Sequence, residues 1–284
     1  MYNGALAEPL ASAPHVVDAI SLIPEILWHE SSNPVAYRWI PAAVELFDSC
    51  SVDVPVVFHG IGLSIGSGLP LNFRHLEQVE IAVDRYRPTW YSEHLSAFRT
   101  TDGFGNPVHA AVGLPVPFDL PTLGHIGAQV AAVVSRLPVP FLLENSAIYV
   151  EVPSSIMTEA GFLNRLCDQT GAGVLLDLHN LVVNEVNLKW NAEQFLAELD
   201  LDHVLEVHVD GGEFMGRWYT DGHSGACPER VWDLLGSIAD DLPNLRLVTF
   251  ELHESRFEDL GLDGLVRQLS RIRTSTGSIS SNVT

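Results

Sequence analysis

With 284 residues, 46% of them hydrophobic and 18% charged, the chain has the make-up of an ordinary globular protein with a substantial core. A formal charge of −21 argues against a nucleic-acid partner, because affinity for a polyanion rests on Lys and Arg neutralising its phosphates. No apolar run reaches the roughly eighteen residues that a membrane span needs, and "MYNGALAEPL" lacks the basic start and apolar block of a signal peptide, so a cytoplasmic location is expected.

Eight short apolar runs follow one another: "GALA" (4–7), "DAISLIP" (18–24), "VPVVFHG" (54–60), "TWYSEHLS" (89–96), "PFLLENS" (140–146), "GVLLDLHN" (173–180), "HVLEVHVD" (203–210) and "RLVTFELHE" (246–254). Several are nearly continuous in Val, Leu and Phe, as strands buried on both faces are. Between them lie segments of helical period, among them "HLEQVEIAVDRY" (75–86), "LPTLGHIGAQVAAVVSRL" (120–137), "NAEQFLAELD" (191–200) and "PERVWDLLGSIADDL" (228–242). In the last, Pro228 stands at the start, where a missing N–H does no harm.

Strand and helix alternate without an internal linker, the pattern of parallel βα units. Eight units predict an α/β fold, a (β/α)₈ TIM barrel, although a doubly wound open sheet would alternate similarly. We expect a single metal-binding domain over residues 1–273 and a flexible Ser/Thr-rich tail over 274–284. The glycines of "GIGLSIGSGLP" (60–70) have the wrong spacing for a dinucleotide fingerprint. Cys50, Cys167 and Cys227 are odd in number and scattered, so neither a disulfide framework nor a zinc-finger spacing is present.

The strand ends carry the chemistry. The third run ends on His59, the fourth on His94, the fifth on Glu144 and the sixth on Asp177 with Asn180 just beyond. His208 closes the seventh and Glu251 the eighth, while the loop "GGEFMGRWYTDGHSG" (211–225) adds Asp221 and His223. Singly, each has an ordinary explanation: a hydrogen-bonded core histidine, a solvated carboxylate, an Asn cap. Six successive strands ending on metal-binding residue types do not, because a barrel gathers all these ends at one mouth. Imidazole with carboxylate suits Fe, Mn or Zn. The absence of thiolate from the set disfavours an iron–sulfur cluster or structural zinc. Strand alternation would turn His179 away from Asn180, so His179 is left outside the expected set. Glu93, His253 and Glu254 are candidates for orienting the ligands.

Together, "FHGIGLSIGS", "YSEHLSAF", "LLENSAIY", "LLDLHN", "EVHVDGG" and "TDGHSG", in this order over most of the chain, resemble the DUF692 family of multinuclear non-haem iron-dependent oxidative enzymes, which includes the oxidase subunit of methanobactin biosynthesis. The resemblance implies a (β/α)₈ barrel holding two or three irons, mixed Fe(II)/Fe(III). Its ligands would be His59, His94, Glu144, Asp177, Asn180, His208, Asp221, His223 and Glu251. It further implies an oxidoreductase that uses O2 to modify a cysteine of a ribosomally made (RiPP) precursor peptide, and a partner protein, forming a heterodimer, that captures the peptide leader. Carbon excision from a C-terminal cysteine, as in 3-thiaglutamate biosynthesis, is the branch we lean toward. "DLHN" departs from the "DxNN" pattern of many relatives, with His179 in place of an Asn.

Two other readings are open. One is a divalent-metal barrel hydrolase or isomerase of the endonuclease IV or xylose isomerase type, against which stand the negative charge and the lack of a basic stripe. The other is a non-catalytic metal- or peptide-binding subunit of a complex. The Gly/Pro-rich segment 99–121 shows no clear period and is expected to border the mouth as a lid or substrate contact, or else to be an extended surface loop. Phe214, Trp218 and Tyr219 are expected to contact peptide or partner, or to pack their loop down.

Overall fold

Seven strands, β1 (Ile20–Leu22), β2 (Val56–Gly60), β3 (Tyr91–His94), β4 (Phe141–Glu144), β5 (Gly173–Asp177), β6 (Val204–Val209) and β7 (Leu247–Phe250), are hydrogen-bonded in that order. Every pairing is parallel. The structure, a computed structural model, describes residues 16–32, 35–50 and 54–277. Within them the sheet curls into a nearly closed TIM barrel. The expected first strand, 4–7, lies outside the described residues, as does the expected tail from 278 on.

Helices cover the barrel: α1 (Pro41–Cys50), α2 (Phe73–Tyr86), α3 (Leu120–Arg136), α4 (Glu159–Thr170), α5 (Leu178–Leu188), α6 (Ala192–Glu198), α7 (Glu229–Ile238) and α8 (Phe257–Ser275). Side-chain caps fix several of their starts. Asn72 accepts from His75 N at 3.2 Å, Asp119 from Thr122 N at 2.8 Å, and Thr158 from Gly161 N at 3.1 Å. Each satisfies an amide that the helix cannot pair internally. Among the described residues no helix is long and apolar enough to cross a membrane.

Two layers of apolar packing hold the fold. The larger lies between sheet and helices and includes Phe58, Leu76, Val79, Phe162 and Leu176. A second cluster, Val57, Trp90, Leu142 and Leu175, is wholly buried. These residues stand two positions before His59, Ser92, Glu144 and Asp177, and strand alternation therefore puts both sets on the inward face. The barrel interior is thus apolar below and polar at the rim. Each fully buried large side chain contributes about 1.5–3 kcal/mol of burial free energy.

Two segments differ from the sequence reading. The run 173–180 is strand only to Asp177, whose carboxylate caps α5 by accepting from Asn180 N at 2.8 Å. Residues 178–180 are therefore helical, and alternation does not govern where His179 points. The segment 99–121, which shows no period in sequence, borders the mouth through Val112 and Gly113 and is in large part a strand pair, not an extended loop. An antiparallel hairpin pairs Ala97–Thr101 with Pro107–Leu114, and a second pairs Glu213–Met215 with Trp218–Thr220. Both stand outside the barrel sheet. Finally, β1 and β7 end the hydrogen-bonded order, and residues of both line one cavity of about 130 Å³ with Leu265 and Ile272 of α8.

Candidate metal centre

The parallel register sets the rim. His94 stands opposite Glu144 across β3 and β4, and Asp177 opposite His208 across β5 and β6. Side chains of neighbouring strands therefore meet at one level. Four groups of potential ligands result, each with its donor atoms within 4.8 Å of one another. They are His59, His94 and Glu144; Glu144, Asp177, His208 and Glu251; Asp210, His223 and Glu251; and His179, Asp210 and Asp221. Consecutive groups share Glu144, Glu251 and Asp210, the arrangement that carboxylates bridging neighbouring ions would need.

All the expected histidines and carboxylates fall in these groups. Asn180 joins them differently: its Nδ2 donates to the Asn145 carbonyl at 3.0 Å, while its buried Oδ1 has no hydrogen-bond partner. Asn180 also lines the mouth, a cavity of about 370 Å³ shared with His59, His94, Asp221, His223 and Glu251. Sequence reasoning missed two members, His179 and Asp210. Asp210 was legible, since it follows His208 by two in the same run. His179 was hidden by the mistaken strand.

Hydrogen bonds orient the imidazoles. Ser92 Oγ donates to the Phe58 carbonyl (3.1 Å) and so accepts from His59 Nδ1 (2.9 Å), which turns the lone pair of His59 Nε2 toward the centre, 3.1 Å from His94 Nε2. His208 Nε2 lies 3.2 Å from Glu206 Oε1. Glu206 is fixed in turn by Trp90 Nε1 at 2.7 Å and Thr249 Oγ1 at 2.6 Å. His208 Nδ1 consequently faces Glu251 Oε2 at 3.1 Å and Glu144 Oε1 at 3.9 Å. On the loop, His223 adopts a left-handed backbone (φ 46°) and places Nε2 3.1 Å from Asp221 Oδ1. His179 Nδ1 approaches Asp210 Oδ1 at 2.6 Å and its Nε2 meets the Tyr219 hydroxyl at 3.2 Å. Gly212 admits that ring, for a Cβ there would sit 2.8 Å from it and 2.2 Å from the Thr220 carbonyl.

Asn145 explains why a buried strand runs straight into a polar pair. Its Oδ1 accepts from Asp177 N (2.8 Å) and its Nδ2 donates to the Asp177 carbonyl (2.9 Å), a clamp from β4 to β5. Glu93 does not touch the centre. Its Oε1 accepts from Leu63 N and the Tyr91 hydroxyl, both at 2.8 Å, and thereby anchors the loop after β2. His253 supports His223 through its backbone, its N–H donating to the His223 carbonyl at 2.8 Å. Cys167 and Cys227 are buried and stand in none of the four groups, and burial pushes the Cys167 thiol up to about 12.

The donor set fits metal. Glu144 Oε2, Asp177 Oδ2, His208 Nδ1, His223 Nδ1 and both Asp210 oxygens are buried without a hydrogen-bond partner. Several touch an opposite charge, Glu144 Oε2 on His94 Nδ1 for one, yet without hydrogen-bond geometry. Left uncompensated, such atoms cost about 1–3 kcal/mol each. Metal ligation needs the imidazoles neutral, and five carboxylates would then carry more negative charge than a buried site tolerates, which divalent ions would offset.

The acidities follow the same geometry. Burial, with Asp210 and Glu144 nearby, holds the Asp177 carboxyl well above the usual range. Burial also lowers His59 to about 4. At His94 burial opposes the charge, but Glu144 outweighs it and lifts the ring to about 9. Burial likewise opposes ionised Glu251, yet His208 and His223 hold it well below the usual carboxylate range. Protons on His94, His208 and His223 thus balance the carboxylates, and a metal ion would displace them.

Glu206→Gln tests the orientation of His208. Its amide can still accept from Trp90 or Thr249 but no longer offers His208 a charged partner. Metal affinity, read by titration against a competing chelator, is expected to fall by about 10–100-fold with the fold retained.

Comparison with known proteins follows the same direction. The family model described as "RiPP precursor modification enzyme MbnB/TglH/ChrH" matches residues 13–261. A UPF0276 protein of Chromobacterium violaceum is 34% identical over 222 residues, covering 78% of each chain. Another, from Caulobacter vibrioides, is 30% identical over 226 residues, covering 75% of this chain and 79% of its own. Among solved structures, D-psicose 3-epimerase from Clostridium cellulolyticum H10 with D-tagatose superposes with a TM-score of 0.56 at 12% identity, over 96% of this chain and 93% of that one. The IOLI protein with a binding zinc atom gives 0.54 at 13% identity, over 97% and 93%. At these identities the two structures speak to the fold alone.

Proposed function

Because the chain belongs to the MbnB/TglH/ChrH family of RiPP precursor modification enzymes, we propose that it is a multinuclear non-haem iron enzyme that uses O2 to modify a cysteine of a ribosomally made precursor peptide. Carbon excision from a C-terminal cysteine, the chemistry of 3-thiaglutamate biosynthesis, is the branch we favour. A partner protein would present the peptide leader, and the reaction would take place in the cytoplasm. The observation that carries this reading is the chain of four ligand groups sharing Glu144, Glu251 and Asp210.

In this proposal His59, His94, Glu144, Asp177, Asn180, His208, Asp221, His223 and Glu251 hold two or three ions, with His179 and Asp210 completing the outermost group. Iron held there would supply the redox capacity and Lewis acidity that oxidation of a thiol-bearing residue needs. The chain's own contribution is geometry and access. Glu144, Asp177 and His208 are sealed from solvent, whereas the side chains of His94, Asp221 and His223 are 19%, 17% and 14% exposed. Substrate would therefore approach over those three. Ser92 and Glu206 fix the ring tautomers, and Asn145 fixes the spacing of the two strands that carry Glu144 and Asp177. The hairpin over 97–114 contributes Val112 and Gly113 to the mouth and would screen it from water.

The test uses iron-replete protein, purified with its partner, and a Cys-containing peptide from a neighbouring reading frame. Two or three irons per chain, oxygen uptake that depends on the peptide, and a mass change confined to its cysteine are expected. Stoichiometric zinc with no oxygen uptake would favour the hydrolase or isomerase reading. Metal without turnover alongside the partner would favour the binding subunit.

A further inference from the structure

The mouth has two walls. One carries ligand candidates such as His94, Asp221 and His223, and the other is apolar, with Ile61, Phe98 and Val112. Among the described residues no Lys or Arg lines it. A peptide that enters brings backbone carbonyl oxygens into this space, where each loses water and needs a donor.

Most polar side chains of the lining are already committed. Ser96 Oγ donates to Ser146 Oγ at 2.9 Å, and Ser146 Oγ donates to the Leu95 carbonyl at 3.0 Å. Asn180 is buried, with Nδ2 donating to the Asn145 carbonyl. The imidazoles of His59, His94 and His223 face carboxylates of the ligand groups. The Tyr149 hydroxyl accepts from Asp221 N at 3.0 Å and is thereby tied to the ligand loop.

His253 is different. Its side chain is exposed at the mouth, and its Nδ1 accepts from Ser255 N at 3.3 Å. An accepting nitrogen carries no hydrogen, so the ring hydrogen sits on Nε2. Among the described residues that N–H has no partner, since the ring contacts only Ser255. The backbone is fixed too: the His253 N–H donates to the His223 carbonyl at 2.8 Å. A free donor is thus held in place beside the metal centre.

We propose that His253 is a substrate-binding residue, whose Nε2–H donates to a carbonyl oxygen of the peptide next to the residue that reaches the metal centre. The oxygen belongs to a backbone amide or to the terminal carboxylate, and the chemistry of recognition is the same for both. The peptide in this statement rests on the function proposed above; the free donor does not.

Two variants separate the two ring nitrogens. His253→Asn keeps an acceptor for Ser255 N, as Asn does at helix starts, but its amide stops short of the Nε2 position. His253→Gln reaches that position and donates there, but gives up the acceptor close to the backbone. The probes are acetyl-Gly-Gly-Cys as the free acid and as the amide, titrated by calorimetry without oxygen into the iron-replete chain. Their thiol directs both to the metal centre. His253→Asn is expected to weaken binding by about 3–10-fold, the net contribution of one hydrogen bond, and His253→Gln to stay near the parent. A loss confined to the acid assigns the contact to the terminal carboxylate; a loss shared by both probes assigns it to a backbone carbonyl. The unfolding midpoint should rank the variants the other way, with His253→Gln the lower, because there the bond to Ser255 N decides. Parental affinity in His253→Asn, or equal losses in the two variants, would overturn the proposal. If neither probe binds the parent, the proposal falls together with the peptide reading. Intact binding without oxygen uptake would instead sink the oxidase reading alone.

Discussion

Replacing Glu144 with glutamine is expected to strip metal from the centre while leaving the barrel folded. Glu144 belongs to two of the four ligand groups, and its Oε2 lies against His94 Nδ1 and 3.4 Å from His59 Nε2. An amide of the same size fills the space but carries no negative charge and cannot bridge two cations. Without that carboxylate His94 has less to hold its proton, so the ring becomes neutral and no unpaired cation is left buried. The apo protein should therefore keep its circular dichroism and unfolding midpoint. Metal content should fall by at least one ion per chain. Turnover on the peptide should drop beyond the upper end of the loss seen when a ligand's supporting contacts are removed, about 100-fold. Unchanged metal stoichiometry in Glu144→Gln would remove this residue from the ligand set.

Trp90 should give the largest effect on stability. It is wholly buried inside the barrel with Val57, Leu142 and Leu175, and its indole N–H is one of the donors that fix Glu206. Trp90→Ala removes the ring and opens a cavity, at a cost of about 3–5 kcal/mol, and also strands Glu206 Oε2. Trp90→Phe separates the two contributions. Most of the volume is kept, so the loss should be nearer the cost of an unsatisfied buried acceptor, about 1–3 kcal/mol. Urea unfolding of the three proteins measures both numbers. A chelator titration of Trp90→Phe should show weaker metal binding as well, because Glu206 orients His208. Stability of Trp90→Phe equal to that of the parent would mean that the indole bond contributes nothing.

The alternation of apolar strands and amphipathic helices made the barrel readable, because burial on both faces leaves its mark on composition. The rim was readable because strand ends converge, which turns an ordinary residue such as His59 or Glu251 into part of a pattern. What escaped was local. Asp177 both ends β5 and caps α5, and a carboxylate in that double role looks the same in sequence as one inside a strand. His179 was misplaced for that reason. The hairpin over 97–114 escaped because its burial is partial, Phe98 and Arg99 intermediate and Val112 exposed, so no apolar alternation marks its strands. Ser92 was invisible as an orienting group, because it bonds His59 on another strand and spacing along the chain says nothing of that. Glu206, two residues before His208 on one strand, had the right spacing but is held in place by Trp90 and Thr249 from elsewhere in the chain.

One feature of the staves bears on how the rim moves. Among the described residues β7 is laced to β6 along one edge, and β1 stands at the opposite end of the ladder with a small hollow shared between them. A strand tied along a single side opens sooner than one tied along both. Deuterium uptake at residues 247–250 should accordingly lead that at 174–177. Glu251 follows directly on this stave, so the carboxylate that joins two of the ligand groups stands next to the seam and is tied back to β6 by its N–H, which donates to the Val209 carbonyl at 3.1 Å.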